Sequence, residues 1–193
     1  MTNTNEEEWY IVAKNDPVIL QGDLLDDFLA PFPKSIDISK KEPECSYEMI
    51  KMDAVVISQS CDTATKADDD DQIVVCQRHF LADVFKSKSK LKEAWPNLVK
   101  DRVINKLLIN NFDHDELGFD YSFIDFSKIF VVPHSYASEF ASKKTKRIRM
   151  NSPYRERLSQ AFSRKFMRVG LPINILESVP NIEFTPITTF DQE

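Results

Sequence analysis

Glycine is scarce in this chain. The 193 residues include three glycines, Gly22, Gly118 and Gly170, whereas an average usage of about 7% would give about 13. The loops that cradle phosphates, G-x-G-x-x-G and G-x-x-x-x-G-K-[ST], need several glycines close together. Isolated glycines cannot form either motif, so the sequence excludes nucleotide-dependent enzymes of both types.

Cysteines and long apolar runs are scarce as well. The three cysteines, Cys45, Cys61 and Cys76, are an odd number without the spacing of a disulfide framework, which indicates reduced thiols. No apolar run approaches the roughly 18 residues that cross a bilayer. Residues 1–10 lack the basic and then apolar pattern of a signal peptide. We therefore expect a cytoplasmic protein without membrane contact.

The remaining composition is that of a folded globular chain. Hydrophobic residues make up 42% and charged residues 29%, a balance too apolar for a disordered protein. This length suffices to bury one core. We therefore expect residues 1–193 to form a single domain.

The acidic average conceals a compact basic segment. The formal net charge is −6, yet residues 143–168 alone sum to +9 while residues 1–142 sum to −11. Such asymmetry indicates an anionic partner. The segment contains one acidic residue, Glu156, and ten basic ones: Lys143, Lys144, Lys146, Arg147, Arg149, Arg155, Arg157, Arg164, Lys165 and Arg168.

Apolar and β-branched runs predict the strands. We expect them at residues 9–13, 18–25, 53–59, 73–76, 119–132 and 146–150. The aspartates at 68–71 must lie in water, because four adjacent carboxylates repel one another. They therefore mark the tip of an antiparallel hairpin. Residues 34–48 are polar without a period, and we expect them to be irregular.

Two further segments have helical patterns. Apolar residues within 80–111 repeat at three and four, and Pro96 divides this stretch or kinks it. Ser152 as N-cap and Pro153 at the first helical position predict a terminal helix that ends near Gly170. These strands and helices predict an α+β fold on a small antiparallel sheet or barrel. The expected buried stripe of the terminal helix is Tyr154, Leu158, Phe162 and Phe166.

A series of short motifs resembles the PemK/MazF-like toxin family. The motifs are GDLL at 22–25, AVVIS at 54–58, IVVC at 73–76, SFIDFSKI at 122–129 and RIRM at 147–150, followed by the terminal helix. The resemblance covers residues 18–79 and 120–168, with 80–117 as a helical insertion. It implies a small antiparallel SH3-like β-barrel with a C-terminal helix, usually dimeric. Many members are sequence-specific endoribonucleases of toxin–antitoxin modules.

The chain departs from that family at its catalytic positions. The family places an Arg-Pro pair before the strand that ends in Ser, where this chain has Lys51 and Met52. It also places Thr or Ser after the second hairpin strand, where this chain has Gln77 and Arg78. The resemblance therefore implies the barrel more than the ribonuclease activity.

Four residues are candidate catalytic groups: Ser58, Cys61, Arg78 and His134. Residues 58–62 follow a buried strand, and functional groups concentrate where strands of a rigid scaffold end. A Cys61 nucleophile would need an imidazole base, for which His79 and His134 are available. In the alternative interpretation the polar side chains satisfy the backbone of a turn and Cys61 packs.

The sequence does not predict a metal or another cofactor. A zinc site would need Cys45, Cys61, Cys76 and His79 to converge at about 2.0–2.3 Å from the ion. The expected hairpin register places Cys76 opposite Ile57 and so separates it from Cys61 by about 13 Å. Only a different register would bring the two cysteines together. The run at 68–71 lacks the glycine and the alternating ligands of a calcium loop.

The basic segment is the predicted nucleic-acid interface. Guanidinium groups suit phosphates because their planar fork donates two parallel hydrogen bonds. Tyr154 or Phe166 would add base stacking if exposed. In the alternative interpretation the basic side chains pair with the acidic body of the protein. The predicted contacts are Lys146, Arg147, Arg149, Arg157, Arg164 and Arg168.

Binding is the function that the sequence favours. We expect a non-enzymatic or degenerate toxin-like protein that binds RNA, DNA or an acidic protein partner, and the family resemblance implies a prokaryotic toxin–antitoxin or phage-defence system. One alternative is a metal-independent endoribonuclease in which Arg78, Arg147 or Arg149 stabilises the transition state. The other is a protein-interaction module. A homodimer and a hetero-complex both remain open.

Overall fold

The computed structural model describes residues 8–39, 41–60 and 71–167. Their strands are β1 (Tyr10–Lys14), β2 (Leu24–Asp37), β3 (Glu44–Val56), β4 (Gln72–Phe80), β5 (Lys106–Ile109), β6 (Ser122–Pro133) and β7 (Lys146–Met150). Their helices are α1 (Leu81–Val84), α2 (Lys88–Val99), α3 (His134–Ser142) and α4 (Tyr154–Phe166). Within these ranges no helix is long and apolar enough to cross a membrane.

The strands form two separate antiparallel sheets. One has five strands in the order β2-β3-β4-β6-β5, and the other pairs β1 with β7. The described strands do not close into a barrel, so the predicted SH3-like β-barrel is wrong, although the class is α+β. A φ of 82° at Gly22 turns the chain just before β2. An isolated bridge between Asp23 and Arg149 joins the two sheets, and the described strands lack the continuous ladder between them that a closed barrel needs.

Apolar side chains cover both faces of the five-stranded sheet. One layer, which includes Tyr10, Ile124 and Leu158, lies between the two sheets and α4. The other packs Ala137 of α3 near Phe28 on the opposite face. A third, smaller cluster packs α1 and α2 against β6. Helix α2 is thereby held at the border of the molecule with its polar face in solvent.

The polar segment 34–48, expected to be irregular, instead forms the outer half of a long β2–β3 hairpin. Its backbone remains paired as far as Asp37 and Glu44. The hydroxyls of Ser35 and Ser46 lie 2.7 Å apart across the hairpin. Main-chain pairing needs no hydrophobic period, so no apolar pattern marks this half of the hairpin.

The segment 80–117 is not purely helical. Helices α1 and α2 occupy its first part, and Pro96 lies inside α2. Residues 106–109, expected to be helical, form β5 and pair with β6. Leu107 and Ile109 are both buried, which is the alternation of a strand. The segment therefore supplies an edge strand of the main sheet.

The predicted terminal helix is present as α4. Its N-cap is Pro153, one position later than expected. Leu158 is buried as predicted, but Phe166 is 59% exposed, so the predicted buried stripe is only partly correct. Gly170 lies outside the described residues, as do Cys61, residues 68–70 and Arg168.

Candidate functional site

Arg147 and Arg149 of the predicted nucleic-acid interface are buried. Both donate to Asp23, whose side chain is fully buried: Arg149 Nε lies 2.5 Å from Oδ1, and Arg147 Nη2 lies 3.2 Å from Oδ2. Arg149 Nη1 also donates to Asp16 at 2.9 Å. Burial lowers the pKa of Arg149, but the hydrogen bonds and charges of Asp23 and Asp16 outweigh it and raise that pKa. The two arginines are therefore paired inside the protein.

Backbone carbonyls accept further hydrogen bonds from the two guanidinium groups, whereas Arg147 Nε is buried without a partner among the described residues. Arg147 donates to the carbonyl oxygens of Asp16 and Ala141, and both arginines donate to that of Val18. These bonds fasten the loop that precedes β2 to β7. The arrangement leaves neither guanidinium group exposed for phosphate.

Most of the other basic side chains in this segment also have partners. Arg157 Nη2 lies 2.9 Å from Asp101 Oδ1, and Arg164 Nη2 lies 3.5 Å from Oδ2 of the same carboxylate. These contacts agree with the alternative interpretation, in which the basic side chains pair with acidic residues of the same chain. Further ion pairs join Lys143 to Glu139, Lys146 to Glu116 and Arg155 to Glu156.

The candidate catalytic residues are placed in different surroundings. Ser58 Oγ accepts a hydrogen bond from the backbone N–H of Val74 at 2.8 Å. His134 is buried, with Nδ1 3.3 Å from Ser138 Oγ. Arg78 lies four residues beyond Val74 on β4, about 13 Å along the strand, so it is remote from Ser58. The structure therefore does not bring Ser58 and Arg78 together in one catalytic site.

Arg78 occupies an internal aromatic site. Its guanidinium carbon lies 4.8 Å from the ring centre of Phe80 and 4.7 Å from that of Phe119. Nη2 lies 2.5 Å from Asp26 Oδ1 and 3.7 Å from Asp53 Oδ2. Ring faces attract a desolvated guanidinium, so these contacts indicate a structural position.

The potential metal ligands are dispersed within the described ranges. Cys45 is exposed on the hairpin, whereas Cys76 is fully buried on β4. Cys76 pairs with Val55, two residues from the expected position, Ile57. Burial raises the pKa of the Cys76 thiol to about 12. The described residues contain no group of three or more His, Cys, Asp or Glu arranged to hold a metal ion.

Helix α2 and its approach carry exposed lysines that the sequence analysis missed. None of them has a carboxylate within ion-pair distance among the described residues. The helix begins where Ser87 Oγ accepts from the backbone N–H of Lys90. Lys88, Lys92 and Trp95 then share one face, since residues three and four apart are neighbours on a helix. The exposed set is Lys86, Lys88, Lys90 and Lys92.

An apolar groove lies beside this lysine face. Its volume is about 480 Å³, and Leu91, Trp95 and Tyr121 contribute to its walls together with Lys88 and Lys92. The Trp95 and Tyr121 rings meet edge to face, with centroids 5.5 Å apart. We define the α2 surface as Lys86, Lys88, Lys90, Lys92, Trp95 and Tyr121. In the sequence this surface is marked by the lysine-rich run KSKSKLK at 86–92. The positive charge of this run is not visible in the net charge of residues 1–142, because acidic residues outnumber basic ones there.

A second and larger concavity adjoins β1, with a volume of about 900 Å³. Its walls combine aromatic rings with amide, imidazole and carboxylate groups. Tyr154, which the sequence analysis proposed for base stacking, is one of these rings. We define the β1 cleft by its lining: Glu8, Trp9, Tyr10, Ile11, Val12, Asn110, Asn111, Phe112, Asp113, His114 and Tyr154.

Comparison with known proteins gives no family assignment. The chain matches no family model and no curated protein sequence. The resemblance to PemK/MazF-like toxins, and the function that it implies, therefore stay predictions.

Proposed function

We propose that this chain is a non-enzymatic binding protein that holds single-stranded nucleic acid on the α2 surface. The observation that carries this proposal is a set of exposed lysines that have no carboxylate partner among the described residues, two of which, Lys88 and Lys92, border an aromatic groove. The basic segment 143–168 has the larger charge, but its arginines at 147 and 149 are buried.

The chemistry of the α2 surface suits a single strand. Lysine ammonium groups attract the phosphate backbone and displace its counterions. Exposed aromatic rings stack with unpaired bases of any sequence, and Tyr121 is 40% exposed at the groove. Lys88 and Lys92 border the same groove as Trp95. A strand bound there would place phosphates on the lysines and a base on the rings.

An acidic protein segment is the second candidate ligand. The groove walls beyond the lysines are largely apolar, with Leu81, Ala82 and Leu91 among them. An acidic amphipathic segment would place apolar side chains there and carboxylates on Lys88 and Lys92. Asp120 also lines the groove and would repel a phosphate close to it. The two candidates therefore predict different preferences between polyanions.

The test is a binding titration of the full chain with a labelled oligouridylate of about 20 nucleotides. We expect saturable binding that weakens between about 50 and 200 mM salt. K88Q/K92Q should lower the affinity at least tenfold and reduce the salt slope by about 1.4, because each lost single-strand phosphate contact removes about 0.7. The matched control K34Q/K128Q removes two exposed lysines elsewhere and should bind like the parent chain.

A second titration with polyglutamate of equal charge separates the two ligands. Tighter binding of the oligonucleotide supports the nucleic-acid proposal. Tighter binding of polyglutamate, lost in K88Q/K92Q, would replace that proposal with the acidic-partner candidate. If neither polymer binds at low salt, or if both lysine pairs act alike, the α2 surface is not a polyanion site.

A further inference from the structure

The β1 cleft has aromatic walls held in place by direct contacts. Trp9 and Tyr154 stack with ring centroids 3.8 Å apart and planes within 12°. Phe112 lies edge to face with Tyr10 at 5.4 Å. The Tyr10 hydroxyl donates to the backbone carbonyl of Asn110 at 2.7 Å. This bond ties β1 to the opposite wall, so the concavity is built by packing rather than by a loose loop.

Polar groups without partners line the same concavity. The side chains of Asn110, Asn111 and Asp113 have no hydrogen-bond partner among the described residues. His114 Nδ1 accepts from the backbone N–H groups of Glu116 and Leu117, at 3.2 and 3.3 Å. Its ring proton is consequently assigned to Nε2, which is left as a donor. The cleft therefore offers amides, a carboxylate and one imidazole N–H beside aromatic surface.

The charge of the cleft limits what can bind there. Glu8 and Asp113 line it, whereas lysine and arginine are not among its lining residues. Phosphate is therefore disfavoured in the cleft. The carboxylates of Glu8 and Asp113 accept hydrogen bonds and cannot donate when ionised, so a ligand that meets them should present N–H groups. A flat ring with N–H groups along one edge satisfies both the aromatic walls and these acceptors.

We propose that the β1 cleft is a binding site for a purine base with adjacent N–H donors, of which guanine is the natural example. The N1–H and the 2-amino group of guanine lie side by side and match the two oxygens of the Asp113 carboxylate. Uracil presents one N–H between two carbonyl oxygens, and these oxygens would be repelled by the Asp113 carboxylate. The base can belong to a free nucleoside or to a nucleic-acid strand. This site is distinct from the α2 surface and does not depend on its function.

The two tryptophans of the chain make the proposal testable, because Trp9 lies in the cleft and Trp95 on the α2 surface. In W95F, Trp9 fluorescence excited at the red edge of its absorption reports on the cleft. We expect saturable quenching by guanosine at or below about 1 mM, at least tenfold tighter than by uridine. Guanosine 5′-monophosphate should bind more weakly than guanosine. Ligand-detected NMR on the unsubstituted protein should give the same ranking.

Two carboxylate variants complete the test. D113N should weaken guanosine binding about tenfold, whereas D115N, an exposed neighbour outside the cleft lining, should leave it unchanged. A pentanucleotide with one central guanosine separates the sources: binding as tight as that of guanosine indicates a strand, and weaker binding indicates a free nucleoside. The proposal would be overturned if all four nucleosides bind equally or if guanosine does not saturate the response. It would also be overturned if only agmatine binds, since agmatine offers adjacent N–H donors without a purine ring.

Discussion

At the scale of single residues, Asp23 is the centre of the contacts between the two sheets. It is fully buried and accepts hydrogen bonds from Arg147, Arg149 and the backbone N–H of Leu20. Charges removed from water are stable only when they are paired and hydrogen-bonded. Asp23 meets that condition for two guanidinium groups at once. Its removal would leave two buried positive charges with fewer acceptors.

We therefore expect D23N to destabilise the protein by about 3–5 kcal/mol, the cost typical of breaking a buried pair by removing one partner. Urea denaturation at neutral pH, followed by circular dichroism, measures this difference. The matched control is D27N, since Asp27 pairs with Lys51 on the surface and should cost no more than about 1 kcal/mol. If D23N and D27N lower the free energy of unfolding equally, the buried network stabilises the protein no more than a surface ion pair does.

Asp16 gives the same network a pH dependence. Burial raises the pKa of Asp16. Hydrogen bonds from the Val18 N–H and from Arg149 together lower it by more, so the pKa is below its ordinary value. A depressed carboxyl pKa adds stability above the unfolded value of about 3.9, and this stability is lost as pH falls through the folded pKa. D16N should therefore be less stable than the parent chain by about 1 kcal/mol at neutral pH.

The difference should be constant above about pH 5 and should shrink towards zero below about pH 4. Urea denaturation of both proteins at several pH values measures it. A difference that grows as the pH falls would contradict the assignment of the Asp16–Arg149 pair.

At the scale of elements, the β2–β3 hairpin divides into two halves. Its base packs Met52, Ala54 and Phe28 into the core. Its outer half exposes apolar side chains, among them Ile36 and Tyr47. An isolated two-stranded hairpin is only marginally stable in water, so the two halves should differ in local stability although they share one ladder.

Hydrogen exchange measures this difference directly. We expect amides of residues 34–37 and 44–48 to exchange at least about tenfold faster than those of 52–56, because opening the outer half exposes little buried surface. Amides of residues 75–77 in β4, which is paired on both sides there, serve as the protected reference. Uniform protection along the hairpin would mean that its outer half is covered in solution.

Sequence patterns predicted most elements that have a core-facing period, although β5 was expected to be helical, and they missed the outer half of the hairpin, which has no such period. β6 and β7 were predicted from β-branched and alternating residues and are confirmed. The outer hairpin lacks a period because its pairs are made by the backbone. For the arginines at 147 and 149, the sequence shows charge but not the partner Asp23, which lies more than 120 residues earlier. The α2 surface was hidden for a different reason, since neighbouring acidic residues cancelled its lysines in the sum.

At the scale of the whole molecule, the two sheets share one apolar core. Tyr10 of β1 and Ile148 of β7 pack in the same cluster as Val55 and Ile124 of the five-stranded sheet. β6 then links this cluster to the one beneath α2, because its Phe123 belongs to the smaller cluster. The layer between the two sheets therefore takes residues from both of them. The described part of the chain should therefore unfold as one cooperative unit.

The two tryptophans test this cooperativity, because Trp9 stacks on Tyr154 of α4 beside the two-stranded sheet, whereas Trp95 lies in α2 and packs against the third cluster. In W95F the fluorescence of Trp9 follows the first region, and in W9F that of Trp95 follows the second. Each variant has its own stability, so each fluorescence curve is compared with circular dichroism of the same variant. We expect the two probes to coincide within each variant, as they do in two-state unfolding. If the Trp95 signal changes at lower urea than the circular dichroism, α2 unfolds separately, and the described part of the chain is not one cooperative unit.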